Sequence, residues 1–192
     1  MKIKYQTPKV SDRLIRNVSR YNVSSFEDLY NITSSSVFGL AYSIVGNKAD
    51  ADDVVQDVFI SIYEKANQYK GGGKAMAWIF TITKNHALMR IRDRKKRKHV
   101  NLDDIYDVGI ENTIEEDVYK ENTIRKILDT LNEDERQIVI MHAMSNIKHK
   151  DIALIMNMNI STVISKYRRS IKKIKKELEV NEYEKNRNWN ID

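Results

Sequence analysis

The stretch IKHKDIALIMNMNISTVISKYRRSIKKIKKEL, residues 147–178, decides the fold of this chain. Its apolar residues recur at helical spacing on both sides of a break at residues 157–159. Asn157 can adopt the left-handed backbone conformation, and Asn159 can cap the helix that follows. We therefore expect a short helix over 147–156, a tight turn and a longer helix, which together form the pattern of a helix-turn-helix.

The longer helix has two chemically different faces. Its expected inner face consists of apolar residues: Ile160, Val163, Tyr167, Ile171, Ile174 and Leu178. Its outer face begins with small hydroxyl side chains, which let a backbone approach the bases, and continues with cations that can reach guanine edges or phosphates. These outer residues are Ser161, Thr162, Ser165, Lys166, Arg168, Arg169, Lys172 and Lys173. A basic helical hairpin without a DNA-reading role is the alternative.

The composition favours helices along most of the chain. Among 192 residues there are six glycines and one proline, Pro8, so nothing after residue 8 forbids a helix. The chain has no cysteine, which excludes disulfide scaffolds and thiolate zinc sites. The longest uncharged run, residues 29–47, contains too many polar side chains for membrane insertion. We expect an all-α, cytoplasmic protein.

Charges of opposite sign are sorted into blocks. The net charge is +6, but residues 84–99 and 146–176 are strongly basic, whereas residues 24–64 and 100–123 are acidic. Two basic blocks around an acidic one suggest two nucleic-acid-facing surfaces, although charge runs can also be simply solvated faces. The expected organisation is a basic N-terminal arm (1–23), a helical domain (24–98), an acidic linker (99–122), a second small helical domain with the helix-turn-helix (123–178) and a polar tail (179–192).

The first domain contains a helix with a dense acidic face, DADDVVQDVFISIYEK, residues 50–65. Its core stripe is Val54, Val55, Val58, Phe59 and Ile62, and the carboxylates on the other side are Asp50, Asp53, Asp57 and Glu64. These carboxylates do not show the pattern of a metal site, because neither EF-hand spacing nor Glu-x-x-His is present. The face is either solvated or a docking surface for a basic partner, since like charges repel unless something neutralises them.

The helices before and after the acidic helix also have sequence signals that mark their ends. Ser24 and Glu27 form an apparent capping box for the preceding helix, and Asn47 can cap the acidic helix. The Gly71–Lys74 tract is expected to be a flexible turn, because Ala75 stands where a phosphate loop needs Ser or Thr. A third helix is expected over 75–98. Its expected buried residues are Trp78, Ile79, Ile82, His86 and Met89.

Four segments in order carry a resemblance to a known family: DADDVVQDVFISIYEK, AWIFTITKNHALMRIRDRKKR, LNEDERQIVIMH and KDIALIMNMNISTVISKYRRSIKKIKK. Together they resemble a bacterial RNA polymerase sigma factor of the extracytoplasmic-function (ECF) type, over about residues 26–178. The resemblance implies two DNA-reading domains, called regions two and four. It also implies a promoter-specificity subunit that helps to open DNA, without enzymatic activity and without a cofactor.

The resemblance also implies roles for particular surfaces. The surface that binds core RNA polymerase corresponds to Asp50, Asp53, Gln56 and Asp57. The surface that captures the single-stranded minus-ten element corresponds to the loop 69–77 with Lys84, Asn85 and Arg92. The outer face of the second domain's long helix corresponds to the reader of the duplex minus-thirty-five element. The acidic linker corresponds to the segment in the polymerase's RNA channel, and an anti-sigma factor is a possible further partner.

Other interpretations remain at this point. Relative to the family, Asn157 replaces the usual turn Gly, Ile164 replaces a frequent Lys and His149 replaces a customary aromatic.

A stand-alone helix-turn-helix transcriptional regulator is the alternative function, with the first domain as a sensor or dimerisation unit. An enzyme has the least support, because the histidines are scattered and no nucleophile–base pair is present.

Overall fold

The computed structural model describes residues 10–100 and 130–188, and these residues form an all-α structure. The expected acidic linker lies outside the described residues from residue 101 onward. The described helices are α1 Asp12–Val18, α2 Val23–Val45, α3 Lys48–Lys65, α4 Ala75–Val100, α5 Glu133–Val139, α6 His149–Met156 and α7 Ile160–Asn188. A 3-10 turn, Ala66–Gln68, follows α3, and a π-helical turn, Ile140–Met144, continues α5.

Polar side chains cap the starts of the first three helices. The capping box expected at Ser24 is wrong, because α2 already begins after Asn22, whose side chain accepts a hydrogen bond from the Ser25 amide at 2.8 Å. Asn22 has the extended backbone that a cap needs, whereas Ser24 lies inside the helix. The cap expected at Asn47 is confirmed, since its side chain accepts from the Asp50 amide at 2.9 Å.

Part of the region expected to be a basic arm is helical. Ser11 caps α1 through a hydrogen bond from the Leu14 amide, and α1 packs on α2. Ile15 and Val18 of α1 are fully buried. Full burial of such side chains contributes about 1.5–3 kcal/mol each, so α1 is anchored to the first helical unit.

Helices α2, α3 and α4 pack against one another and form the core of the first unit. The expected apolar stripe of α3 is confirmed as buried throughout. On α4, the expected burial of Met89 is wrong, because its side chain is 49% exposed. Ala87 is fully buried on the same helix, and a residue two positions further on points about 200° away from it.

The second unit has the expected helix-turn-helix. Asn132 and Glu135 form a reciprocal capping box at the start of α5, and Asn157 has the expected left-handed conformation, with φ 53°. Val163 is fully buried on α7, as expected, but Ile160 and Leu178 are 48% and 47% exposed. The inner-face prediction fails at these two ends because they lie at or beyond the edges of the packed middle of α7.

The two helical units pack directly on each other. Helix α2 contacts α5 and the π-helical turn, and α4 contacts α6. One polar link joins Lys74 Nζ to Asp151 Oδ1 at 3.0 Å, and a second joins Lys84 to α6. Among the helices of residues 10–100 and 130–188, none combines the length and apolar character needed to cross a bilayer.

Candidate nucleic-acid interface

The basic face of α4 is only partly free. Asn85 and Arg92 are exposed, but Lys84 is half-buried and its Nζ donates to the backbone carbonyl of Ile155 at 3.0 Å. Burial lowers the pKa of Lys84. The negative charges of Asp134 and Glu133 act in the opposite direction but do not offset the effect of burial. Of the three α4 residues singled out from the sequence, two therefore face solvent and the third contacts the helix-turn-helix unit.

The glycine tract before α4 has an unusual backbone. Gly71, Gly72 and Gly73 have φ values of 78°, 87° and 68°, all in the left-handed region that favours glycine. The Asp12 carboxylate accepts a hydrogen bond from the Tyr69 hydroxyl at 2.6 Å, and its two oxygens lie 3.0 and 3.2 Å from the Gly73 amide nitrogen. The Lys74 amide in turn donates to the Tyr69 hydroxyl at 3.0 Å. The expected turn therefore has a defined shape, held by a residue of α1.

On the acidic helix, Asp50 is engaged within the fold. Arg90 Nε lies 2.6 Å from Asp50 Oδ1, and Arg94 Nη1 lies 3.1 Å from Asp50 Oδ2, which also accepts from Asn47 Nδ2 at 2.8 Å. Burial by itself would raise the pKa of Asp50, but hydrogen bonds from Asn47 and Arg90 outweigh it and the pKa is lowered. Arg90 also donates to Asp53. Part of the acidic face is thus neutralised by α4 of the same chain.

The remaining part of the acidic face points outward. Gln56 and Asp57 are exposed on α3, and Asp52 and Glu64 are exposed as well. Asp53 is intermediate between the engaged and the exposed carboxylates. It pairs with Arg90, but its side chain is half-exposed. Within the described residues, no cluster of three or more His, Cys, Asp or Glu side chains is arranged to hold a metal ion. The exposed carboxylates can form ion pairs with a basic surface.

The outer face of α7 separates into free and engaged residues. Lys166 Nζ lies 2.9 Å from Asp134 Oδ2, and its side chain is only 19% exposed. Lys173 Nζ lies 2.7 Å from Glu135 Oε2, and the pKa of Glu135 is lowered because hydrogen bonds from Lys173 and Asn132 outweigh the effect of burial. Two of the expected DNA-facing lysines therefore hold α7 against α5. Lys173 stays largely exposed despite its ion pair, and the other exposed residues of the outer face are Ser161, Thr162, Ser165, Arg168, Arg169 and Lys172.

Three aromatic rings, one of them from α7, contact one another. His142 and His149 are stacked with ring centroids 4.3 Å apart, and Tyr167 lies edge-on to His142 at 4.7 Å. His142 Nδ1 is 2.8 Å from the Ile147 carbonyl oxygen. Burial lowers the pKa of His149, and the nearby charges of His142 and Arg168 lower it further. His149 thus packs as a neutral ring, at the position where the family customarily has an aromatic residue.

Sequence reasoning missed three residues of these surfaces. By sequence, Arg90 and Arg94 are only part of the basic block 84–99, although the opposite charge of residues 24–64 indicates that the two segments can pair. Asp12 was overlooked because it lies in the expected arm, where it is the sole acidic residue among positions 1–23. No local pattern connects it to a loop that lies about 60 residues later in the chain.

Comparison with protein families supports the division into two functional regions. Residues 29–97 match the family model of sigma-70 region 2, and residues 121–174 match that of sigma-70 region 4. Together these two matches cover more than half of the chain. The first contains the exposed parts of α3 and α4, and the second contains the helix-turn-helix.

Relatives and solved structures agree with this assignment. The chain is 22% identical over 177 residues to the ECF RNA polymerase sigma factor SigK of Mycobacterium tuberculosis, covering 88% of this chain and 94% of that protein. It is 22% identical over 176 residues to SigW of Bacillus subtilis, covering 85% and 94%. The sigma factor RpoE of Bartonella quintana, solved with the anti-sigma factor NepR, has a similar fold: TM-score 0.67 at 22% identity, covering 82% of this chain and 99% of that one. CnrH, solved with the cytosolic domain of CnrY, has a TM-score of 0.62 at 17% identity, covering 88% and 97%.

Two all-α units, the second with an exposed basic recognition helix, define a DNA-binding transcription protein. With both region matches in the expected order, the chain belongs to the sigma-70 family and is a sigma factor of the ECF type. Its function is promoter recognition in transcription initiation. These matches give no support to the alternative of a stand-alone regulator.

Proposed function

We propose that this chain binds core RNA polymerase through the exposed part of the acidic helix and directs it to promoters with two elements. The observation that carries the proposal is the separation of charge within one chain. Gln56 and Asp57 remain exposed on α3, whereas the nearby Asp50 is neutralised by arginines of α4. An unneutralised acidic patch favours a basic protein surface rather than DNA.

The proposed minus-ten surface combines the glycine tract with α4. Asn85 and Arg92 are exposed, so an amide and a guanidinium are available to single-stranded DNA beside the loop of residues 69–77. Capture of an extruded base in such a loop would offset part of the free energy needed to unpair the duplex. Lys84 joins this surface only when its bond to Ile155 is broken.

The proposed minus-thirty-five surface is the start of α7. Ser161, Thr162 and Ser165 are small and exposed, so the helix can enter the major groove closely. Arg168, Arg169 and Lys172 follow and can reach base edges or phosphates. Lys166 has a different role in this proposal, because its ion pair with Asp134 holds α7 in position.

The remaining parts of the proposal concern partners and place of action. The chain performs no covalent chemistry, needs no cofactor and acts in the cytoplasm with the polymerase. One solved structure with a similar fold is the sigma factor RpoE in complex with the anti-sigma factor NepR, which supports an anti-sigma factor as a further partner. The domain division belongs to the same proposal: a first domain that ends near residue 98 and includes the packed helix α1, an acidic linker, and a second domain over 123–178.

Run-off transcription tests the proposal directly. Purified protein is added to core polymerase with candidate upstream regions as templates, including the region before its own gene. Initiation that depends on the added protein is the expected result, and the start site identifies both promoter elements. Core binding is measured on the same sample by gel filtration. Absence of core binding would contradict the proposal, whereas binding without initiation calls for other templates.

A further inference from the structure

We propose that Asp12 is a positioning residue that holds the Gly71–Lys74 loop in the shape required for minus-ten DNA. This inference rests on the function proposed above, because it concerns the same surface. It goes further by giving α1 a role in DNA capture. Asp12 lies outside the residues that match the region 2 model, which begin at residue 29.

The Asp12 carboxylate connects both ends of the loop. It accepts a hydrogen bond from the Tyr69 hydroxyl, which lies before the glycines, and from the Gly73 amide, which lies at their end. The Tyr69 hydroxyl also accepts from the Lys74 amide at 3.0 Å. One carboxylate therefore closes the loop at the point where α4 begins.

The loop needs such a restraint because of its composition. Three consecutive glycines lose more conformational freedom on ordering than any other residues. The Gly73 amide donates to the Asp12 carboxylate, and a Cβ at Gly71 would already lie 3.4 Å from Asp12 Oδ2. A loop ordered in advance binds its ligand more tightly than one that must be ordered during binding.

The carboxylate is itself held in place. It is at the first position of α1, whose Ile15 and Val18 are fully buried, so the core of the first unit sets its location. The Tyr69 hydrogen bond and then the Gly73 amide lower the pKa of Asp12, which keeps the carboxylate ionised. Burial, together with the bond to Asp12, raises the pKa of Tyr69 to about 12, which keeps its hydroxyl a donor.

The test uses holoenzyme reconstituted with wild-type, Asp12→Ala, Tyr69→Phe or doubly substituted protein. Fluorescence anisotropy measures binding of a single-stranded oligonucleotide whose minus-ten sequence is taken from the run-off start site. Each single substitution is expected to weaken binding roughly tenfold, and the double substitution no more than the worse single one, because both break one network. Affinity for core polymerase and for minus-thirty-five duplex should be unchanged. Asp28→Ala, an exposed carboxylate on α2, is the matched control.

Three results would overturn the inference. Unchanged oligonucleotide binding by Asp12→Ala would show that the loop does not depend on the carboxylate. Tighter binding would show that the carboxylate competes with a DNA phosphate for the same amides. An equal loss of core affinity would show that α1 only supports the fold. If the wild-type holoenzyme binds core polymerase but not the oligonucleotide, the proposed minus-ten surface itself fails, whereas loss of binding in Asn85→Ala with full binding in Asp12→Ala overturns only the inference about Asp12.

Discussion

Lys84 donates a hydrogen bond to the backbone carbonyl of Ile155, with Nζ 3.0 Å from the oxygen. Lys84 lies on the proposed minus-ten surface, and Ile155 lies on the first helix of the helix-turn-helix. The two proposed DNA-reading units therefore share a contact in the free chain. A second polar link, between Lys74 and Asp151, joins the glycine tract to the same helix. Single-stranded DNA that engages Lys84 must replace its bond to Ile155.

Lys84→Met should destabilise the free protein by about 1 kcal/mol, because it removes a hydrogen bond from a charged group at a partly exposed site. Urea unfolding monitored by circular dichroism measures this change. Lys95→Met is the control, since Lys95 is an exposed lysine on the same helix. Equal losses in the two variants would contradict the structural role of Lys84.

Arg90→Ala should lower the free energy of unfolding by about 1–2 kcal/mol, less than for a fully buried pair because both partners keep some exposure. The substitution leaves Asp50, whose side chain is 14% exposed, with fewer cationic partners. Thermal and urea unfolding measure the effect. Arg92→Ala should change stability by less than about 0.5 kcal/mol, because Arg92 is exposed. The two variants separate fold stability from DNA contact.

Stability should fall as the pH drops below about 6.5, the ordinary pKa of histidine. The pKa of His149 is lowered in the folded state, so between this lowered pKa and 6.5 the unfolded chain binds more protons. The stability contributed by the neutral ring is present above pH 6.5 and is lost as the pH falls through the folded-state pKa. Burial lowers the pKa of His86 in the same direction.

His149→Phe keeps a ring beside His142 and Tyr167 but removes the titration. The fall in urea midpoint between about pH 7.5 and about pH 5.5 should therefore be smaller in this variant than in the wild type. A residual fall is expected from His86. An identical fall in both proteins would show that His149 does not contribute to the acid sensitivity.

Asp57→Lys should weaken binding to core polymerase at least about tenfold, because it reverses a charge in the exposed acidic patch. The free energy of unfolding should be nearly unchanged, since the residue is exposed. Glu27→Lys, a charge reversal at an exposed position of α2, is the control for net charge. Binding of labelled protein to core enzyme measures both. Retention of full affinity by Asp57→Lys would remove this patch from the polymerase interface.

Arg169→Ala should reduce holoenzyme binding to minus-thirty-five duplex by about 1–3 kcal/mol if the guanidinium reads a base. In that case the loss is larger on the natural sequence than on base-substituted duplexes. A contact to phosphate alone would instead reduce binding uniformly and lower the salt slope by about one. Binding measured at several salt concentrations on both duplexes distinguishes the two contacts, and no effect in any of them excludes both.

Features that depend on neighbouring residues were predictable from the sequence. The cap at Asn47 and the left-handed Asn157 follow from side chains that bond their own backbone within a few positions. The apolar stripe of α3 follows from helical spacing. The cap expected at Ser24 is wrong because a second capping residue lies nearby: Asn22, two residues earlier, caps α2 instead.

The sequence by itself determined the all-α class, the helix-turn-helix and the sorting of charge, because periodicity, capping and composition act over short distances. Only the tertiary structure decided which charges are free. Asp50 meets Arg90 and Lys166 meets Asp134 across 30 to 40 intervening residues, and no local pattern records such a meeting. The same holds for Asp12 and Gly73, since their hydrogen bond exists only because the burial of Ile15 and Val18 brings α1 to the loop.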